Sequence, residues 1–380
     1  MRLGLVTSEF PPDLGGVETY AYQLAAELGS RPEYQVTVYA PPASTVVDAP
    51  PGVLIKPWLT SCRKRDWERL RTESIDLWHA LSAPHAWLAL TGQPTVVSVH
   101  GNDFLAPYAL TARPALRLPL LHRLKPYIWK QFDPYWRSAT QRLIARALPQ
   151  AAAIIANSHY TAEVFLQRYP ACAATLRVAQ VGVDARFFDI VRPPPGPIKK
   201  LLTVSRLSEP RKNIDLTIRA LHALRERFNF EYTVAGAGNQ RPELERLVAE
   251  LGLSSRIRFV GKVTIDQLRV LYSQADLFVL TSSIIPGSHE GFGIVYLEAA
   301  AAGVPSLAAR LAGAVEAISE GASGFFVEQP TVGELSTALA RFLSGDLVFN
   351  AETCRAFAQH FRWPRIADLI TAAYPTIAPR

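Results

Sequence analysis

This chain predicts an α/β protein built from two doubly wound, Rossmann-like domains, and three observations carry that expectation. Short apolar runs of strand type alternate with longer helix-type runs along the whole sequence, the pattern of parallel sheets covered on both faces. A length of 380 residues exceeds what one hydrophobic core usually organises. Midway, the segment Val191-Arg192-Pro193-Pro194-Pro195-Gly196-Pro197 breaks the alternation, as a stiff linker does. The expected division is residues 1–190, residues 191–360 and a terminal segment, 361–380.

In the first half the clearest strands are Leu3 to Thr7, Gln35 to Tyr39, Leu77 to Ala80, Thr95 to Val99 and Ala152 to Ala156. In the second they are Lys200 to Val204, Phe230 to Ala235, Ile257 to Val260, Leu277 to Leu280 and Ser306 to Ala308. Each run is too short for a typical helix and is bounded by polar or turn residues. An amphipathic helix is expected from Thr19 to Leu28. Another runs from Val295 to Ala302, rich in Leu and Ala, and stops at Gly303-Val304-Pro305. Phe361-Arg362-Trp363-Pro364 then leads into a short helix from Arg365 to Tyr374. Two such domains facing each other would set their strand carboxyl ends, where ligands bind, around a shared cleft.

Composition narrows the function. Apolar residues make up 49% of the chain, enough to give both halves a core. No run of eighteen apolar residues is present, so no spanning helix is expected. Met1-Arg2-Leu3-Gly4-Leu5-Val6 reads as a first strand and not as a signal peptide. Cys62, Cys172 and Cys354 are odd in number and far apart, which fits reduced thiols in a cytosolic protein. The net charge is +7, and residues 111–150 hold eight basic side chains against one acid, Asp133. Tyr127, Trp129, Phe132, Tyr135 and Trp136 are interleaved with them. Such a stretch suits an anionic membrane surface, or equally a solvated amphipathic helix pair; no nucleic-acid motif accompanies it.

Four segments carry chemistry. Glu290 and Glu298 stand eight residues apart, the first beside Gly291-Phe292-Gly293 and the second inside the following helix. Eight residues place the second about 80° beyond two full turns, so both can border one cleft. The glycines let backbone N–H groups at the helix start approach a ligand. Gly15-Gly16, at the start of the first helix, can do the same for phosphate. His100 follows a strand directly, so it can donate to a sugar hydroxyl or help stabilise developing charge, and Asp103 can orient it or meet acceptor hydroxyls. Arg206 and Lys212, six residues apart, can converge on one diphosphate, with Arg211 as an extra cation of no assigned role. Weaker candidates are Gly236, in Ala235-Gly236-Ala237-Gly238, and Lys262-Val263. No segment has metal-ligand spacing, and Asp-x-Asp is absent from the sequence.

The run E-G-F-G-I-V-x-L-E-A-x-A-x-G-V-P beginning at Glu290 resembles the E-x7-E motif of the retaining glycosyltransferases of family 4, which use nucleotide-sugar donors. P-P-x-x-G-G-x-E from Pro11 to Glu18, H-G-x-D from His100 to Asp103 and R-L-x-x-x-x-K-N from Arg206 to Asn213 are similar to that family's other motifs. They stand in its order, so the resemblance spans essentially the whole chain. Two departures are visible: Asn213 replaces the commoner glycine, and Arg310 to Glu316 keeps only Gly313 and Glu316 of the usual S-G-G-x-x-E.

The resemblance implies a GT-B fold in which the terminal helix crosses back onto the first domain. It implies transfer of a hexose, with GDP-mannose favoured over a UDP-sugar, to a saccharide or lipid-linked acceptor. By the family pattern Glu298 meets the ribose, while Glu290 and the N–H groups of Phe292, Gly293 and Ile294, with Val295 beside them, hold the sugar. Arg206 and Lys212 take the diphosphate. Gly15, Gly16, Gly236, Lys262 and Val263 complete the donor site, His100 acts in catalysis, and Asp103 is assigned to the acceptor. With cations present to neutralise the diphosphate, neither metal nor cofactor is expected. The expected location is the cytoplasm or the inner face of the cell membrane, with no nucleic-acid partner. Rival readings are a nucleotide-sugar-binding protein without turnover and a GT-B epimerase.

Overall fold

The computed structural model describes residues 1–11, 15–46, 48–60, 62–110, 125–194 and 196–376, excepting the side chains of 45, 46 and 125–133. The chain divides into two compact units. The first comprises Met1–Gln180 and the segment from Pro364 onward; the second is Val181–Trp363.

The first unit holds a wholly parallel sheet of strands β1 (Arg2–Val6), β2 (Gln35–Tyr39), β3 (Val53–Lys56), β4 (Leu77–Ala80), β5 (Thr95–Val99), β6 (Ala153–Ala156) and β7 (Leu176–Val178). Their order is β3-β2-β1-β4-β5-β6-β7. Every residue of β4, β5 and β6 is buried, which is why these strands read as predominantly apolar runs broken only by His79, Thr95 and Ser98. The order reverses between β1 and β4, the switch point where parallel sheets open a crevice for ligands.

The second unit holds strands β8 (Lys199–Val204), β9 (Phe230–Ala235), β10 (Ile257–Gly261), β11 (Leu277–Val279), β12 (Ser306–Ala309) and β13 (Gly324–Val327). Their order is β10-β9-β8-β11-β12-β13, again all parallel. Its switch point falls between β8 and β11. A core including Leu201, Ile218, Phe230, Tyr232 and Leu335 packs helices Ile214–Leu224 and Val332–Leu343 against the sheet. Three strands, β3, β7 and β13, are additions to those read from sequence, and all three lie at sheet edges.

The units change over at Gln180/Val181, ten residues before the proline segment. Residues 181–190 are already tied into the second unit. The Val183 N–H donates to the Phe361 carbonyl at 2.8 Å, and the Phe187 ring meets Tyr272 edge-on at 5.5 Å. Arg192 donates to the carbonyls of Gly303 and Ala275, so the start of the proline segment is anchored and does not act as a free tether.

Within the first unit, Asp368 accepts from Arg31 at 2.7 Å, and Arg31 also donates to the Pro364 carbonyl. The Tyr374 hydroxyl lies 2.9 Å from His79 Nδ1, and His79 Nε2 lies 2.9 Å from Ser98 Oγ. Ser98 in turn meets the Tyr20 hydroxyl at 3.1 Å. His79 is fully buried, and burial drives its pKa down to about 3. It is a neutral structural residue with both nitrogens occupied.

The three cysteines are free and buried. No helix among the described residues is long and apolar enough to cross a membrane. Of the basic aromatic stretch, residues 111–124 lie outside the described residues. The rest of it is carried mainly by one helix, Lys125–Ala147, on which Tyr135 is 60% exposed.

Candidate functional site

In the second unit, the loops after β8 and β11 flank the switch point, and they bring five charges together. Arg206 follows β8, is half exposed, and lies 3.2 Å from Glu209. Glu209 pairs with Arg211 at 2.6 Å, and Arg211 is only 5% exposed. Arg211 Nη1 stands 3.5 Å from Glu290 Oε2, while Lys212 Nζ donates to the same oxygen at 2.6 Å. The series Arg206–Glu209–Arg211–Glu290–Lys212 alternates in sign and ends in a cation on each side.

Burial alone would raise the Glu290 pKa. The charges of Lys212 and Arg211, with hydrogen bonds from Lys212 and Ser282, outweigh it and hold the carboxyl at about 2. Lys212, Ser282 and Arg211 all face Oε2. Oε1 carries no hydrogen bond among the described residues and is not sealed from solvent.

Asn213 explains the departure from glycine in structural terms. Its φ is +54°, in the left-handed region that favours glycine and, after it, asparagine. Its side-chain amide donates to the Thr281 carbonyl at 2.6 Å and to Ser283 Oγ at 2.7 Å. The Ser283 N–H donates to the Arg211 carbonyl at 2.7 Å. The substitution thus fastens the lysine-bearing turn to the loop after β11. The position of the lysine, and not only its charge, depends on that residue.

Phe292 is buried, and Gly293, at φ +92°, starts helix Ile294–Ala301 without a side-chain cap. A Cβ at Gly293 would sit 2.4 Å from the Tyr296 ring, so only glycine fits there. Glu298 lies within this helix, 6% exposed, and accepts from the Tyr272 hydroxyl at 3.0 Å. Burial, with a smaller contribution from Asp184, pushes its pKa up to about 7 against the Tyr272 bond. Gly236 has φ +136°, and a Cβ there would lie 1.8 Å from the Ser205 carbonyl oxygen. The glycine loop is therefore required by its close approach to the backbone carrying Arg206. Lys262 is exposed and Val263 partly so, just beyond β10.

In the first unit, Gly15 and Gly16 open helix Gly16–Gly29 after β1; Pro12, Asp13 and Leu14 of that motif lie outside the described residues. His100 follows β5. Its Nε2 is 3.0 Å from the Leu81 carbonyl, which can only accept, so the proton sits on Nε2. Burial lowers the His100 pKa, partly offset by the charge of Asp103. A neutral ring with this tautomer presents Nδ1 as a hydrogen-bond acceptor. That corrects any expectation that it donates to a hydroxyl. The Asp103 oxygens accept from the backbone N–H groups of His100 and Ala83, both at 2.8 Å. In this geometry Asp103 fixes the turn that aims His100.

Sequence reading did not single out Ser282, Glu209, Tyr272 or the cluster in which Ser8 Oγ and the Tyr108 hydroxyl meet His85 Nε2 at 2.8 and 3.1 Å. Ser282 lies 8 positions from Glu290, Tyr272 lies 26 from Glu298, and Ser8 lies 77 from His85, so no local spacing marks them. Glu209 stood beside the two basic residues and was the one legible from its neighbourhood.

Two family models match this chain in tandem. The Glycosyltransferase Family 4 model covers residues 14–187, and the Glycosyl transferases group 1 model covers residues 188–361. The chain belongs to the GT-B glycosyltransferases of the family 4 type.

As a member of that group it is an enzyme that transfers glycosyl groups. It is 28% identical over 377 residues to the GDP-mannose-dependent alpha-(1-6)-phosphatidylinositol monomannoside mannosyltransferase of Mycobacterium tuberculosis, covering 90% of this chain and 89% of the relative. The D-inositol 3-phosphate glycosyltransferase of Mycolicibacterium smegmatis is 27% identical over 403 residues, covering 95% and 86%. Among solved structures, Anabaena HepE in complex with UDP-glucose matches with a TM-score of 0.72 at 20% identity, over 98% of each chain. Sucrose-phosphate synthase of Thermosynechococcus elongatus matches at 0.75 and 19%, also over 98% of each. The GT-B architecture expected from sequence is thereby found in this glycosyltransferase.

Proposed function

We propose that this glycosyltransferase moves a hexose, with retention and without a metal, from a nucleoside diphosphate sugar to a saccharide or lipid-linked acceptor, GDP-mannose being the favoured donor. The observation that carries the reading is the alternating charge series. Its two outer cations, Arg206 and Lys212, are held ready to neutralise a departing diphosphate, the preorganised electrostatic stabilisation such a step requires. Glu290 Oε1 takes a sugar hydroxyl, joined by the N–H groups of Phe292, Gly293 and Ile294. Glu298 takes the ribose, with its proton available at neutral pH as a hydrogen-bond donor. Gly15, Gly16, Gly236, Lys262, Val263 and Val295 complete the donor contacts.

Transfer follows a front-face route. The bond from the anomeric carbon to the diphosphate oxygen breaks, the acceptor oxygen bonds to that carbon from the same face, and its proton passes to the departing phosphate. Glu290, with its pKa held low by cations, serves to position and not to attack. His100 accepts a hydroxyl hydrogen at Nδ1, and Asp103 acts through it. GDP-mannose is favoured by the mannosyltransferase relative; a UDP-sugar is the competitor, supported by HepE with UDP-glucose. The exposed Tyr135, with exposed Arg137, Arg142 and Arg146 on the same helix, supports contact of residues 111–150 with an anionic membrane at the inner face.

A thermal-shift screen over GDP-, UDP- and ADP-sugars, with and without EDTA, tests the donor and the metal together, since a ligand specific to the folded state raises Tm. The expected result is the largest shift with GDP-mannose, unchanged by EDTA. No shift with any nucleotide sugar refutes the donor reading, and an inverted anomeric configuration in the product, read by NMR, refutes retention.

A further inference from the structure

Arg211 is the cation for which neither the motif nor the proposed mechanism has a use. It is nonetheless the most deeply buried of the three, and each of its nitrogens has a separate neighbour. Nε donates to Ser288 Oγ at 2.9 Å, Nη2 pairs with Glu209 at 2.6 Å, and Nη1 faces Glu290 Oε2 at 3.5 Å. Its carbonyl is held by the Ser283 N–H. A group so enclosed does not reach a diphosphate. What it does reach is the carboxylate beside each of the two outer cations.

From this geometry we infer that Arg211 is a positioning residue for donor recognition. It fixes Glu290 by charge at Oε2, so that Oε1 is turned toward the hydroxyls of the transferred sugar. The inference rests on the donor reading above and deepens it. Lys212 and Ser282 already supply Oε2 with hydrogen bonds, so Arg211 is not needed merely to satisfy that oxygen. Among the described residues its Nη1 makes no hydrogen bond, only the 3.5 Å approach to Glu290 Oε2. Catalytic-site contacts of that kind tighten when the ligand arrives. The planar fork matters as well as the charge, because one guanidinium spans Ser288, Glu209 and Glu290 at once and an ammonium cannot.

The test separates recognition of the sugar from recognition of the diphosphate. Calorimetry gives dissociation constants for a nucleotide sugar and for its nucleoside diphosphate, and their ratio reports the sugar contacts alone. Glu290→Gln and Arg211→Gln are each expected to weaken the nucleotide sugar relative to the diphosphate by about 10-fold or more. The double variant should lose no more than the single ones, because both act on one contact. Arg211→Lys should restore little of the ratio.

Ser288→Ala keeps the charge and removes only the Nε anchor, which makes it the variant to use should Arg211→Gln not fold. It should cost about 3- to 10-fold in the same ratio, and nothing further in the Glu290→Gln background. Additive losses, or an unchanged ratio in Arg211→Gln and Ser288→Ala, overturn the inference while leaving the donor reading intact. A wild-type protein that binds no nucleotide sugar overturns the donor reading, and this inference with it.

Discussion

The two units solve the same topological problem with opposite electrostatics. Both place their functional loops at the carboxyl ends of strands beside a reversal of strand order. In the second unit those loops carry Arg206, Glu209, Arg211, Glu290 and Lys212, a dense set of formal charges alternating in sign, in which Lys212 and Arg211 hold the Glu290 pKa down against burial. In the first, the corresponding loops carry His100 and His85, whose burial lowers their pKa, together with Ser8 and Tyr108. Burial acts to discharge ionisable groups in both units, and only where partner charges surround the group does the charge survive. A charged, mutually supported site suits an anionic ligand. The neutral imidazoles and hydroxyls of the first unit suit a hydroxylated ligand, the Asp103 carboxylate beside them being taken up by two backbone N–H groups.

Lys212→Ala attacks that contrast at its strongest point. It removes one outer cation and leaves Glu290 short of its closest partner, so kcat should fall about 100- to 1000-fold; steady-state kinetics near wild type would break the comparison. The next effect is on stability. The Glu298 carboxyl sits at about 7 in the folded protein, above its ordinary value, so between those values the folded state keeps a proton that the unfolded state has released. Its stabilising contribution is complete at low pH and is lost as pH rises through 7. Glu298→Gln should therefore gain on wild type by on the order of 3 kcal/mol between pH 5 and pH 8, measured by urea unfolding; a constant gap would show that the site is not dry.

Smaller effects sharpen the picture in each unit. Tyr374→Phe removes the buried bond to His79 and should cost about 1 kcal/mol, read as a lowered denaturation midpoint with donor affinity unchanged. Asn213→Gly keeps the left-handed backbone but loses two tethers, a cost of at most about 1 kcal/mol. Asn213→Ala adds backbone strain of about 1 kcal/mol, so melting temperatures should rank Asn, Gly, Ala; an alanine variant equal to glycine would remove the conformational argument.

The fold was legible wherever strands are buried on both faces. β1, β4, β5, β8, β9 and β11 stand out as short runs rich in Leu, Val and aromatic residues, because their central positions are buried in the sheet interior. The unread strands β3, β7 and β13 are edge strands of three or four residues, and Val53–Lys56 and Leu176–Val178 are only partly buried. Half-solvated edges leave a weaker pattern. In the candidate site, contiguous motifs mark Arg206, Lys212, Glu290 and Glu298, whereas Arg211 has no role that its local sequence assigns. Its meaning lies in Glu209, Ser288 and Glu290, and only folding brings the last two near. The His100 tautomer was illegible for the same reason, since it is set by the Leu81 carbonyl nineteen residues earlier.

The first unit is assembled out of two separated stretches of chain, and that arrangement sets when it can be completed. His79 is synthesised early, yet its Nδ1 partner, Tyr374, leaves the ribosome only after the whole of Val181–Trp363. Domains emerging at about 5–20 residues per second leave that imidazole without its mate for many seconds. The second unit is contiguous and can close first. The order of completion on the ribosome is thus the reverse of the order of synthesis: the unit begun first is finished last.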